Sequence, residues 1–277
     1  SLIAFNANSQ ASFCDDFEGY SNGIPIAETS KNWNTWDELM NGAVAPFIDD
    51  ANVVNTQFNG GIPASSGSNG LYLIDATGTG GPQDVVLMFD TTQNIVSTTP
   101  LSTPYTSGSL NFSTMMYIIP GKTGYFNFQA ENAPGVSWAL EVNFDATGGI
   151  LMSNTSGTTF NCTYPASGTW FEIAFNIDLS NNIWEVFIDS VSQGSFSNSI
   201  NKIASLDLYP GVASEYYVDD VCYSYDPTQI VLPNLDLAVS NIAIISGLDG
   251  QNRDVTVEVI NLGINTITSF DIDFLYN

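Results

Sequence analysis

The chain has no histidine, and only four of its 277 residues are basic: Lys31, Lys122, Lys202 and Arg253. Without histidine there is no Ser–His or Cys–His nucleophile pair and no imidazole zinc site. Among hydrolases, a glycosidase working with carboxylates alone survives that exclusion. Against the four basic residues stand 29 acidic ones, a formal charge of −25. Such a surface repels phosphate backbones, which excludes nucleic acid as a partner and disfavours anionic lipid. It suits either solubility in a salty, divalent-rich medium or a cation-binding surface. Three cysteines, Cys14, Cys162 and Cys222, fit no zinc spacing, and an odd count leaves one thiol over if the other two bridge. No apolar run reaches the roughly 18 residues a membrane helix needs, so no membrane span is expected. The chain opens at Ser1 with no signal peptide, as a mature or excised segment of something longer would. Abundant Asn with scarce Lys and Cys points to an extracellular protein.

What is present is strand. With 44% hydrophobic residues the chain can bury a sizeable core. "LNFSTMMYIIP" (110–120) alternates and stops at Pro120-Gly121. In "GYFNFQA" (124–130), Phe126 and Phe128 share one face, and Tyr125, Asn127 and Gln129 the other. "WALEVNF" (138–144) groups Trp138, Leu140, Val142 and Phe144. "WFEIAFNIDL" (170–179) and "IWEVFID" (183–189) follow, joined by a tight hairpin. Gly, Asn, Ser and Pro separate these runs, and no window shows helical periodicity. The expected fold is all-β: an antiparallel jelly-roll sandwich.

"PTQIVLPNLDL" (227–237) breaks the pattern as a connector would. The expected division is a leader or linker over 1–11, a jelly roll over 12–226, a linker over 227–234 and a partial immunoglobulin-like domain over 235–277. The last segment offers three or four strands, "LDLAVSNIAIIS", "RDVTVEVINLG" and "TITSFDIDFLYN". An immunoglobulin-like domain needs about 100 residues, so this one is either truncated, the favoured reading, or completed by another chain.

Two acidic stretches echo each other, "FCDDFEGY" (13–20) and "YYVDDVCY" (216–223). If the first and last strands of the jelly roll lie side by side, these stretches become neighbours. Carboxylates gathered without basic partners repel, and calcium, which takes oxygen ligands, resolves the conflict. Alternation places Asp16 and Glu18 on one face of the first strand, and Val218, Asp220 and Cys222 on one face of the last. Glu18 and Asp220 are the first-choice calcium ligands, with Asp16 and Asp219 as further ones; the alternative is solvated strand ends. The same adjacency would bring Cys14 near Cys222, leaving Cys162 as a buried free thiol.

"DDFEGY", "WNTWDE" (33–38), "SGSNGLYL" (66–73), "GGPQDVVL" (80–87), "MYIIPGKTGYFNFQ" (116–129) and "YYVDDV" (216–221), in that order, resemble secreted modules of gliding and marine Bacteroidetes. Those modules belong to the concanavalin A-like jelly-roll superfamily. The two acidic ends also resemble the "DFE" and "DDI" ends of MAM domains, where a calcium ion commonly sits. The tail resembles cell-adhesion-related domains. The resemblance implies a secreted or cell-surface multidomain protein exported by the type IX route. It also admits laminarinase-type glycosidases, whose "E-x-D-x-x-E" pattern this chain does not contain, so no enzyme is expected. A lectin-like role would use Trp33 and Trp36 in "KNWNTWDE" with Tyr125, Asn127 and Gln129. The alternative packs both tryptophans over the sandwich edge. The expected function is a non-enzymatic extracellular adhesion or recognition module at the cell surface, binding a glycan or surface ligand. The alternative is a structural subunit of a filament, whose partners are copies of itself.

Overall fold

The structure is a computed structural model that describes residues 11–89, 103–165, 168–227, 237–244 and 255–261. The chain divides into two units, 1–229 and 230–277.

The first unit opens with β1 (Ala11–Asp15), β2 (Ile24–Pro25), α1 (Ile26–Thr29), β3 (Trp33–Thr35) and α2 (Trp36–Asn41). Next come β4 (Asn52–Asn55), α3 (Thr56–Gly60), β5 (Asn69–Ile74), β6 (Val85–Met88), β7 (Ser109–Ile118) and β8 (Gly124–Gln129). Then follow β9 (Trp138–Phe144), β10 (Gly149–Ser153), β11 (Thr159–Thr163) and β12 (Trp170–Asp178). The unit closes with β13 (Ile183–Ile188), β14 (Val191–Phe196), β15 (Ser205–Leu208) and β16 (Glu215–Asp226).

These strands form two antiparallel sheets. The large sheet, of nine strands, runs β14-β13-β12-β7-β16-β5-β4-β2, with β1 also on β16; the small sheet, of seven, runs β11-β10-β9-β8-β15-β6-β3. The fold is thus an antiparallel jelly-roll sandwich. Its core is apolar because each strand turns alternate residues inward. β12 buries Phe171, Ile173, Phe175 and Ile177 and leaves Trp170, Glu172, Ala174 and Asn176 less covered. Phe112 and Phe175 of the large sheet meet Phe128 of the small sheet edge-on, at centroid distances of 5.1 and 5.3 Å.

β16 is the hinge of the topology. Along one edge its Tyr216–Val218 pair with β5, and its Val221–Tyr225 pair with β1. Where the neighbour changes, the register against β7 shifts between Asp219 and Cys222, and Asp220 takes a positive φ of 50°. This bulge breaks the regular alternation expected from the sequence: Val218 and Val221, three residues apart, both pack in the core, with Asp219 buried and Asp220 half-buried between them.

Among the described residues three short helices depart from the all-strand expectation. The second grows from a local signal: Thr35 Oγ1 accepts the Glu38 N–H at 3.1 Å, Asp37 and Glu38 occupy the first turn, and Gly42 closes it left-handed. Leu39 and Trp36 of this helix pack on Val86 and Met88, which face away from the core.

In the second unit β17 (Leu237–Ile244) and β18 (Val255–Asn261) form an antiparallel pair with a register shift between Val239 and Asn241. The strand expected in 266–277, residues 1–10 of the leader expected over 1–11 and residues 228–234 of the linker expected over 227–234 lie outside the described residues, while Ala11 already begins β1.

Candidate functional site

The two acidic stretches are brought together. Cys14 and Cys222 stand opposite each other in the β1–β16 ladder and are joined in a disulfide, while Cys162 is free and half-buried. Burial pushes the Cys162 thiol up to about 11, so it is not a thiolate at neutral pH.

The four carboxylates expected as calcium ligands separate into two groups. Glu18 Oε1 accepts the N–H groups of Ser68 and Asn69 at 2.7 and 2.6 Å, tying the end of β1 to the start of β5. Asp219 Oδ2 accepts Ser66 N–H at 3.1 Å, and Asp220 Oδ1 accepts the Ser66 hydroxyl at 2.9 Å. One loop, 66–69, is therefore held by three carboxylates. Gly67 is required there, because a Cβ at its φ of +53° would collide with the Glu18 carboxyl. Asp16 stands apart: it is exposed and turned to the N–H of Glu18 at 3.1 Å. Burial pushes Asp219 up to about 7, the Ser66 N–H working against it and the charges of Asp220 and Glu18 adding to it. Lys122 and Lys202 are paired elsewhere, with Glu215 and Glu131. Among the described residues no three acidic or cysteine side chains form a ready-made metal cluster. What the seam offers a hard cation is an unneutralised carboxylate set with free acceptor capacity on Glu18 and Asp220, held on a shared loop.

Sequence reasoning missed Asp15. It points into the sandwich and accepts Phe17 N–H at 3.0 Å, the Tyr20 hydroxyl at 3.1 Å and Trp33 Nε1–H at 3.0 Å. Trp33 is consequently a core residue, 1% exposed, and not a sugar platform. β3 lies in the small sheet opposite Leu87, with the indole against Phe17, so its ring is spent on packing.

The outward face of the small sheet carries the other expected residues. Tyr125, Asn127 and Gln129 do leave the core face, yet Asn127 and Gln129 are 1% and 0% exposed. Alternation gives the face, and a second layer decides the exposure: α2 and the 131–137 loop cover this part of the sheet. Gly135 N–H donates to Gln129 Oε1 at 2.9 Å, Gln129 Nε2 to Asn127 Oδ1 at 2.6 Å, and Asn127 Nδ2 to Asp207 Oδ2 at 2.7 Å. Asn127 and Gln129 are therefore structural and cannot touch a ligand directly. At the edge of the cover Trp36 stacks on Trp138, centroids 6.5 Å apart at 22°, both half-buried.

Beneath the cover lies an acid pair. Asp84 and Asp207 are pushed up, chiefly by burial, and repulsion from Asp207 adds to Asp84. One Oδ1 of each finds no N–H or O–H donor, unless one acid keeps its proton and donates to the other. Buried oxygens of Asn34, Asp49 and Ser205 are likewise without partners.

Away from the cover the face opens into a groove of about 680 Å³. Its floor is a straight cross-strand row: Tyr125 of β8 faces Asn143 of β9, which faces Leu151 of β10, which faces Asn161 of β11. Leu151 is 43% exposed, and Val212 at the rim 63%. Tyr125 donates its hydroxyl to Glu141 Oε1 at 3.2 Å, which fixes the ring. Asp145, on the turn before β10, also borders the groove. Asn143 lies in a strand legible from the sequence, but Leu151 and Asn161 lie in β10 and β11, which fall outside the strands expected from the sequence, and nothing local singled the three out.

No protein family's sequence pattern matches the chain, and no curated protein is similar to it in sequence. Solved structures with a similar fold include the Trypanosoma cruzi calreticulin globular domain, with TM-score 0.48 and 12% identity over 77% of this chain and 88% of that one. A sialidase matches with TM-score 0.48 and 16% identity over 77% of this chain but 18% of its own length. Carbohydrate-binding module CBM66 from Bacillus subtilis matches with TM-score 0.37 and 10% identity over 70% of this chain and 95% of that one. These are partial likenesses at low identity. The class that the two antiparallel sheets define is a jelly-roll sandwich. Its disulfide belongs to an oxidising compartment. Among the described residues no helix is long and apolar enough to cross a membrane, which says nothing of a β-barrel.

Proposed function

We propose that the first unit is a non-enzymatic, extracellular glycan-recognition module of a larger cell-surface protein, and that it binds in the groove on the outward face of the small sheet. The observation that carries this reading is the row Tyr125–Asn143–Leu151–Asn161 on the floor of an open groove. An aromatic ring and an exposed aliphatic side chain offer apolar contact to a pyranose face, and two amides between and beside them offer donors and acceptors to its hydroxyls. The bond of the Tyr125 hydroxyl to Glu141 holds that ring in place before binding, so little of its order is lost. The half-buried Trp36–Trp138 stack extends the apolar surface beyond the covered stretch. Binding without catalysis is the reading adopted because the chain lacks the E-x-D-x-x-E pattern of laminarinase-type glycosidases. Screening the intact chain against immobilised glycans tests the reading: saturable binding supports it, and binding to none overturns it. Self-association without glycan binding would favour the filament-subunit reading.

The acidic seam is assigned to calcium in the same reading. Glu18, Asp219 and Asp220 would hold the ion, with Asp16 at its margin, and the ion would neutralise carboxylates that have no basic partner. Its role is to lock the junction at which β16 exchanges β5 for β1. Binding at one hundred times Kd stabilises by about 2.7 kcal/mol, a rise in Tm of about 5–10 °C for a domain of this size. That rise should appear with calcium over chelator at fixed ionic strength and vanish in Glu18→Gln. An equal rise in the variant would sink the assignment.

A further inference from the structure

We infer that the groove selects glycans without acid groups, uncharged or amine-bearing, and rejects those that carry carboxylate or sulfate. The inference rests on the glycan reading above and concerns the charge of the ligand.

The groove's ionisable groups are acidic. Asp145 borders it, with Oδ1 accepting Thr147 N–H, Thr147 Oγ1–H and Gly149 N–H at 2.7, 2.7 and 3.0 Å. Those bonds hold the carboxyl below the usual carboxylate range, the Thr147 hydroxyl contributing most. None of them uses Oδ2, and Asp145 is exposed, so a full negative charge faces the opening. Glu141 lies one residue pair along β9 from Asn143, its Oε1 on the Tyr125 hydroxyl. The acid pair Asp84–Asp207 lies further along the same face, since Asp207 pairs with Asn127 and Asn127 with Glu141.

Among the described residues no cation balances them; Arg253, the fourth basic residue, lies outside those residues. Lys122, next in sequence to Thr123 on the groove wall, is bound to Glu215 at 3.3 Å. Lys202 is engaged with Glu131. Lys31 precedes β3, on the opposite edge of the small sheet from the groove strands β8–β11. An acidic sugar would enter against like charge with no arginine or lysine fork among the described residues to receive it, whereas neutral hydroxyls meet amides and an amine meets carboxylates.

The test is calorimetric titration of the intact chain with oligosaccharides of one backbone in three charge states. Cellohexaose, the β-1,4-linked glucosamine hexamer and the β-1,4-linked glucuronate hexamer form one set, and β-1,3- and α-1,4-linked sets follow. The expected result at low salt is at least tenfold weaker binding of the carboxylate member than of the neutral member. The gap should narrow at about 0.5 M salt, where screening is short-ranged, and in Asp145→Asn, which removes the exposed charge at the opening. An acid-bearing member that binds as well as or better than its neutral counterpart overturns the inference and leaves the glycan reading standing. Failure of every set to bind overturns the glycan reading, and this inference with it.

Discussion

Replacing both bridged cysteines, Cys14→Ser with Cys222→Ser, should cost the first unit a large part of its stability. The two residues are 208 apart in sequence, so the bridge closes almost the whole unit into one loop. Loop-closure entropy for that length corresponds to about 5 kcal/mol at room temperature. For a domain of this size the loss lowers Tm by about 10–20 °C. The assay is urea unfolding of the intact chain followed by tryptophan fluorescence. All five tryptophans, Trp33, Trp36, Trp138, Trp170 and Trp184, lie within the first unit, so the signal reports on it alone. Trp33 is the local reporter, since its indole N–H bonds to Asp15 at the end of β1. The denaturant slope should rise together with the fall in midpoint, because an uncrosslinked denatured chain exposes more surface. A loss below about 1 kcal/mol with an unchanged slope would refute the reasoning, since β1 would then be held by its ladder and the seam and the denatured state would gain nothing from release.

Stability should also fall as pH rises from about 5 to 8. Asp84 and Asp207 titrate near 4 when unfolded and hold a proton to higher pH when folded, so their contribution is full at low pH and lost on the alkaline side. Asp207→Asn, which removes one acid of the pair, should flatten that fall and raise stability at pH 8 by more than about 1 kcal/mol; an unchanged pH slope in urea unfolding would remove the acid pair from the account. Trp33→Phe takes one donor from the buried Asp15 carboxylate and should cost about 1–3 kcal/mol in unfolding free energy. It should leave glycan affinity unchanged, and a several-fold loss of affinity at full stability would contradict its core position.

Much of the sandwich is legible in the sequence because strand alternation needs only local chemistry. The inward phenylalanines and isoleucines of β12, and Phe126 and Phe128 of β8, sit where their two-residue period puts them. The alternation could not report a second layer: it sends Asn127 and Gln129 outward, and the cover of α2 and the 131–137 loop buries them again. It also fails at a bulge. Asp219 and Asp220 exchange the roles alternation assigns them, because β16 slips its register where its neighbour changes. α2 starts from the Thr35 cap on Glu38, but six residues are too few to show periodicity in the sequence. The groove row Tyr125–Asn143–Leu151–Asn161 depends on the pairing register of four strands, which no single strand encodes.

The central claim is that the outward face of the small sheet binds glycan through this row. The most direct measurement is calorimetric titration of the tightest glycan from the screen into the intact chain, into Tyr125→Ala and Asn143→Ala, and into Phe58→Ala. Phe58 is 84% exposed on α3, which follows a strand of the large sheet, and serves as the control surface. The account predicts at least tenfold weaker binding in the first two variants, with unfolding midpoints close to that of the parent, and unchanged binding in the third. Unchanged affinity in both groove variants, or a loss confined to Phe58→Ala, would contradict it.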